Sequence, residues 1–479
     1  MLSTTGIVVN GGARFVYNLL IGNLRGPAFL GPVSAAVSSA LFASILLPQA
    51  IANAATRFVA DATYRTAASA AVEVSEASEA SDARHRADPD AVAWLLARWL
   101  LVTGTLLGVA VALGVELLSD RGLLFAASAG VLTVAYSAYV FARAVQFARF
   151  KARRAAGSDV LAGVVAILTL LSVLAVGADT FVLAPLAVGY ALAAVVNWPR
   201  RPRERVVPLA LRHEIRHFVA FGSIASIATG GMLQASMIVA QWAGSDLDSG
   251  LYAAAFSIAT PLSMISTAIA MIVVPRMAAA RASADSRAFP DLVDSAFRGV
   301  ASISMLAFGV VTIGAVPILG LLYDAEFRPA AVPLAVLALA MLALTAQMPV
   351  SNALVVSGQR GVRYAAVVAA AGAVVGAILW AVLAPWLGNV GVALGVLAAT
   401  ASPLVALTTR TSSELGLRWR LVTLRFVVLA VSLVGCAALA VTDARTWVAL
   451  ATFGGYAVLW CVLSGLPDRR AVVATLFSR

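Results

Sequence analysis

Residues 221–281 read FGSIASIATGGMLQASMIVAQWAGSDLDSGLYAAAFSIATPLSMISTAIAMIVVPRMAAAR. Two apolar runs, each long enough to cross a bilayer as a helix, flank a short polar turn at 244–250. The second run is interrupted by Pro261 and closes on Pro275 and Arg276. The same pattern stands, without gaps, 219 positions earlier. Gly31, Ala35, Ala36, Ser38, Ala40, Ser44 and Arg57 fall on Gly250, Ala254, Ala255, Ser257, Ala259, Ser263 and Arg276. In so alanine-rich a chain the alanine matches weigh little, and the Gly, Ser and Arg matches carry the signal. A second copy starting near the middle predicts two membrane halves in parallel orientation with a site between them.

Composition supports the membrane reading. The chain is 61% hydrophobic and 12% charged, where a soluble domain is about half apolar and about a quarter charged. Alternation with a period of two is absent, which excludes the pattern of a membrane β-barrel. The expected fold class is therefore an all-α integral membrane protein. It has about fourteen transmembrane helices: two pseudo-symmetric six-helix halves and two C-terminal helices. The first half is 1–198, with spans near 6–24, 33–60, 91–116, 123–142, 158–176 and 181–198. A polar insert at 61–90, rich in Ala, Ser and Glu, reads as a tolerated cytoplasmic loop extension. A basic linker at 199–216 joins the halves. The second half is 217–409, where span 9 ends at Leu322 and spans 10, 11 and 12 lie near 330–356, 364–383 and 390–407. Residues 410–479 hold spans 13 and 14, near 421–441 and 446–466, and a tail.

The net charge of +11 is placed asymmetrically. Of the 34 Lys and Arg residues, all but Arg14 and four arginines on the other side (Arg25, Arg121, Arg328, Arg445) fall on alternate loops or the helix ends beside them. By the positive-inside rule those loops are cytoplasmic, as are both termini. The basic face is expected to meet anionic lipid headgroups, not nucleic acid. The N-terminus has neither a basic region nor a small-residue cleavage site, so no cleaved leader is expected. Cys436 and Cys461 belong to opposite helix ends and read as packing residues. His213 and His217 share a helix face without a third ligand, so no metal site is expected. No Walker loop and no nucleophile triad is readable, and no cofactor is expected.

Arg14 is the most informative single residue. It lies eight or nine residues into span 1, about 13 Å deep at about 1.5 Å per residue. An arginine at such depth costs about 2.5–3.5 kcal/mol on insertion scales and ordinarily faces a cavity and a partner. Span 1 holds no acid, so an anionic substrate group is the natural partner, and the planar guanidinium fork suits phosphate. The other reading is a shifted span with Arg14 reaching the inner headgroups. Amides add polar surface at membrane depth: Asn18 and Asn23 in span 1, Gln49 and Asn53 in span 2, Gln234 and Gln241 in span 7, Gln347 and Asn352 in span 10. They suit sugar hydroxyls, or else interhelical hydrogen bonds worth under about 1 kcal/mol each. Arg57 and Arg276, equivalent in the repeat, either hold phosphates or obey the positive-inside rule alone. Arg98 and Arg143 lie near inner ends and extend a basic cavity mouth. Glu116, Asp179, Asp246, Asp248, Asp324 and Asp443 fall at outer ends or loops, so the intramembrane acid of a cation-coupled carrier is not apparent.

Several segments resemble the polysaccharide flippases of the multidrug/oligosaccharidyl-lipid/polysaccharide exporter (MOP) superfamily. LRGPAFLGPVSAA (24–36) resembles the family's early "LGP…YG" turn, with Pro32 after Gly31. DLDSGLYAAAFSIATPL (246–262) resembles its "vGlYsaA" segment, and VVPRMAAAR (273–281) its "P.la" helix end. LLYDAEFRPAAVPLAVLAL (321–339) resembles the "lYG.ef" stretch with Asp324 in place of glycine, and NALVVSGQRGVRY (352–364) the "l.a.Gr" loop. The resemblance covers nearly the whole chain through the order and spacing of these segments. It implies a bacterial plasma-membrane flippase, not an enzyme. Such a protein moves polyprenyl-diphosphate-linked oligosaccharide outward by alternating access, for cell-surface polysaccharide or lipopolysaccharide synthesis. Membrane lipids and a polysaccharide polymerase or glycosyltransferases are the implied partners. Many members carry an aspartate about where Gln234 stands, and this chain departs from them there. A lipid II flippase of peptidoglycan synthesis and a drug/cation antiporter of the same fold are the alternatives. An integral glycosyltransferase fits less well, because the outer loops are short.

Overall fold

The computed structural model describes residues 2–64, 88–119, 121–202, 207–283, 285–443, 445–469 and 471. Most of the 61–90 insert, His85 and the end of the C-terminal tail lie outside the described residues. Those described are almost entirely helical, with no strand among them. In lipid a helix satisfies every backbone polar group within one segment. Ten helical stretches among the described residues are long and apolar enough to cross a membrane; the expected count of fourteen goes beyond that measure.

The chain packs as two compact units. One comprises Met1–Tyr17 and Val33–Ile238, the other Asn18–Pro32 and Val239–Arg479. Helix α1 (Leu2–Arg25) and helix α2 (Pro27–Leu46) thus each contribute to both.

In the first unit α2 breaks at Leu47 ahead of Pro48, whose ring cannot continue the hydrogen-bond ladder, and resumes as α3 (Pro48–Ala54). A π-helical turn, Ala55–Val59, follows. Then come α4 (Pro89–Leu118), α5 (Leu123–Ala148), α6 (Ala152–Val176) and α7 (Ala184–Asn197). α8 (Leu209–Ser226) runs through a second π turn, Ile227–Gly231, into α9 (Met232–Ala243). α5 is central, packing on α3, α4 and α7. It meets α4 where Gly108 and Gly130 face each other: a methyl group on either would lie 2.8 Å or 2.7 Å from the other's carbonyl oxygen. Without a hydrophobic drive between helices in lipid, such close backbone approach is a main source of attraction.

The second unit contains α10 (Asp246–Ala282), α11 (Ala288–Ile313), α12 (Ala315–Leu322), α13 (Ala331–Ala346) and α14 (Met348–Val356). It continues with α15 (Gln359–Leu415), α16 (Arg420–Asp443) and α17 (Thr446–Trp460). α13 is central here, packing on α10, α11 and α15. In the most apolar 18-residue window, 72% is buried in Ala325–Val356 and 17% in α15, so the former is core and the latter is largely uncovered. α15 is also divided. Gly388, at φ 51°, ψ −130°, interrupts its 57 residues, which at about 1.5 Å each exceed one crossing.

Two glycines matched in the sequence meet within this unit. The start of α2 and the start of α10 touch at Gly31 and Gly250, the repeat-equivalent glycines. A methyl group on Gly250 would lie 1.8 Å from the Pro27 carbonyl oxygen, and one on Gly31 2.7 Å from the Gly250 nitrogen. Ser245 caps α10 by a reciprocal capping box with Asp248.

Candidate functional site

Arg14 is half-buried on α1, and its electrostatic neighbours are Tyr190 on α7 and Tyr136 and Tyr139 on α5. The three rings form a cluster, with Tyr190 5.1 Å from Tyr136 edge-on and 5.0 Å from Tyr139. One turn on, the fully buried Tyr17 donates its hydroxyl to the Val182 carbonyl at 2.5 Å, tying α1 to the start of α7. Among the described residues no carboxylate pairs with Arg14, and it makes no hydrogen bond there. These neighbours bring no carboxylate, so the guanidinium keeps its charge.

The cluster also holds an acid that sequence reading passed over. Asp159, two turns into α6, is 1% exposed. It accepts the Tyr139 hydroxyl at 2.5 Å and Nε of Arg143 at 3.0 Å. Arg143, expected to extend a basic cavity mouth, is thus neutralised, a correction to its assigned role. Its Nη2 is buried without a hydrogen-bond partner, while its guanidinium carbon stacks 5.0 Å from the Phe147 ring. Asp159 sits near an expected inner helix end, where acids attract no notice; only the packing of α5 on α6 reveals it as a buried charge.

The remaining expected residues divide between the units. In the first, Gln49, Asn53 and Arg57 lie one helical turn apart, and Gln49 donates to Asn53 at 3.2 Å. Arg57 pairs with Glu214 at 3.7 Å and lies 5.2 Å and 5.1 Å from the Phe58 and Phe218 rings. Both ends of that ion pair are half-exposed, so it stabilises little. Gln234 is half-buried on α9, and its Oε1 is buried without a partner. In the second unit, Asn23 donates to the Leu322 carbonyl at 2.8 Å. Gln241 donates to Asp246 at 2.7 Å and accepts from Ser249 at 2.6 Å. These two amides fasten turns. Asn18 is half-buried on α1 and Arg276 half-buried on α10 after Pro275. Gln347 stands at the break between α13 and α14, where Pro349 enters the next turn. Its Oε1 and the Nδ2 of Asn352 are both buried without partners. Buried amides are ordinarily satisfied, so these two and Gln234 are where a polar ligand or water would gain most.

His213 and His217 approach at 3.0 Å between Nε2 atoms, but no group of three metal-ligating residues exists among the described residues. Cys436 and Cys461 are free.

The whole chain superposes on solved membrane proteins. It is similar to a lipid II flippase MurJ in an inward closed conformation at a TM-score of 0.69 and 11% identity, covering 98% of this chain and 99% of that one. The fold is that of the MOP-superfamily transporters. An inward-facing multidrug resistance MATE family transporter of that superfamily matches at a TM-score of 0.53 and 15% identity, over 86% of this chain and 94% of that one. The eukaryotic MATE transporter AtDTX14 matches at 0.53 and 15%, over 93% and 97%. By sequence, no protein-family model and no curated protein matches the chain. Around the tyrosine cluster the charges are a matched pair, Asp159 with Arg143, and Arg14, which no described carboxylate meets.

Proposed function

We propose that the protein is a flippase for polyprenyl-diphosphate-linked glycans, carrying them from the inner to the outer leaflet of a bacterial plasma membrane by alternating access. The observation that carries this reading is Arg14, an arginine within an apolar helix, near Tyr136, Tyr139 and Tyr190, with no carboxylate to match it among the described residues. A charge retained at such a cost in lipid needs a counter-charge from outside the chain, and a diphosphate supplies one that the guanidinium fork fits. The unpartnered amide Gln234, in the same unit as Arg14, suits sugar hydroxyls. Neutral donors and acceptors left unpaired in a buried place favour a ligand that brings its own.

The glycan we favour is an oligosaccharide destined for cell-surface polysaccharide, with a polymerase or glycosyltransferases acting before and after the flip. Lipid II, the substrate named for the MurJ neighbour, offers the same diphosphate and is the nearest competing cargo. Asp159 favours a second reading, a cation antiporter, since it is a buried acid of the kind such a carrier needs. Its charge, however, is already met by Arg143 at 3.0 Å.

Binding separates these readings. Purified protein in detergent is titrated with a polyprenyl-diphosphate disaccharide and with the matching polyprenyl alcohol. The diphosphate should bind at least about tenfold more tightly, a difference of about 1.4 kcal/mol, and Arg14→Ala should remove that difference. Equal binding of diphosphate and alcohol to the unaltered protein would overturn the proposal.

A further inference from the structure

On the first unit, away from Arg14, the start of α4 and the segment leading into α8 enclose a cavity of about 520 Å3. Trp94, Leu95 and Arg98 line it from α4, at the spacing of a single helix face. Arg201, Pro202, Val207 and Arg212 line it from the opposite wall. That wall is anchored: Val207 is 3% exposed and belongs to the apolar core formed with Val92, Leu96 and Ile215.

None of the described residues lining this cavity is acidic. The nearby acids are used elsewhere: Asp88 caps α4 by accepting the Asp90 amide, Asp90 pairs with Arg149, and Glu214 pairs with Arg57. Among the described residues, Arg98, Arg201 and Arg212 make no ion pair, and Nε of Arg212 is buried without any hydrogen-bond partner. Three guanidinium groups converging without counter-charge repel one another, and a buried donor left unmade costs free energy. Both costs fall when an anion with several acceptor oxygens enters. The volume lies in the range of small-molecule sites and exceeds what a bare ion fills. The wall is half apolar in character, with an indole at the level where tryptophan concentrates in membrane proteins.

We propose that this cavity is a binding site for a phosphate group on a larger molecule, an anionic phospholipid headgroup or a soluble phosphorylated metabolite. It is separate from the transport site and ties Arg201, Pro202, Val207 and Arg212 to α4. Guanidinium groups grip phosphate through paired donors, so three of them around one cavity select it over a neutral headgroup. On the orientation given by the arginine distribution the site opens at the cytoplasmic face, where anionic lipid and soluble phosphates are both at hand.

The test uses the full-length protein in mild detergent, with adducts counted by native mass spectrometry and thermal midpoints measured in parallel. The probes are phosphatidylglycerol, phosphatidylcholine and glycerol 3-phosphate. Phosphatidylglycerol should bind and raise the midpoint, and phosphatidylcholine should not. Arg98→Gln combined with Arg201→Gln should weaken phosphatidylglycerol binding by at least about tenfold. Arg212→Lys, which keeps the charge and loses the fork, should weaken it less, and serves if the double variant is poorly folded. Arg410→Gln, on the second unit, should leave binding unchanged. Competition by millimolar glycerol 3-phosphate would assign the site to soluble phosphates, and its absence to the lipid. Equal binding of both lipids, or unaltered binding of all three probes in the arginine variants, would overturn the proposal.

Discussion

Arg14 and Asp159 place opposite charges on one tyrosine cluster, and their partners decide what each can do. Asp159 is spent on Arg143 and Tyr139, whereas Arg14 keeps its charge. Replacing Arg14 with Ala should abolish transport while leaving the fold intact, because it removes a buried cation without orphaning an anion. Arg14→Lys should retain part of the activity, since the point charge survives without the fork. The Asp159 pair should respond in the opposite way. Asp159→Asn leaves Arg143 uncompensated with one donor already unpartnered, and should destabilise by about 3–5 kcal/mol, read as a lower thermal midpoint. Arg143→Met with Asp159→Leu removes both charges and should recover most of that loss. A single Asp159→Asn as stable as the unaltered protein would show that the pair carries no such weight. At this scale the sequence was half legible. The depth of Arg14 follows from counting residues along one helix. The burial of Asp159 depends on a neighbouring helix, and two amides that counting alone placed at the site, Asn23 and Gln241, are taken up by turns instead.

Helix ends and breaks carry the next level. Apolar length predicts helices, but it runs span 2 through Pro48 and span 10 through Pro349, where the structure breaks each helix. The interruption expected at Pro261 is absent, α10 running on through it. The gap expected between spans 11 and 12 contains Gly388, where α15 is interrupted. The π turns at Ala55–Val59 and Ile227–Gly231 have no such signal, because one extra residue in a turn is set by tertiary packing. The repeat was visible as matched glycines, but not that Gly31 and Gly250 would touch. Gly250→Ala should force the starts of α2 and α10 apart and destabilise by about 1–3 kcal/mol, measured by thermal unfolding in detergent. Gly435→Ala, with open space around the added methyl, is the matched control. Beyond the end of α17, Asp468 is 2% exposed, and Arg298 lies 3.6 Å away. Burial pushes its carboxyl up from the ordinary value, against the opposing pull of Arg298 and Arg425. The folded chain then holds that proton more tightly than the unfolded chain. Its stabilising contribution is full below the ordinary carboxylate value and is lost as pH rises through the raised one. Asp468→Asn should therefore gain stability relative to the unaltered protein as pH is raised across that window, and a pH-independent difference would contradict it.

For the molecule as a whole, an apolar composition and one-sided arginines were enough to reach a multi-pass helical membrane protein, and the MOP fold agrees with that reading. Cargo is a different matter. Proteins of this fold include a lipid II flippase and multidrug transporters, so the fold alone does not select among them. The choice falls to the charges inside the membrane, and at the tyrosine cluster the one that no described carboxylate meets is positive. The most direct measurement reconstitutes the protein in liposomes with a fluorescent polyprenyl-diphosphate oligosaccharide and follows how fast label on one leaflet becomes accessible on the other. Protein-dependent exchange that disappears in Arg14→Ala is the predicted result. Absence of exchange, together with organic-cation uptake driven by a pH gradient and lost in Asp159→Asn protein that remains folded, would contradict the account and leave an antiporter in its place.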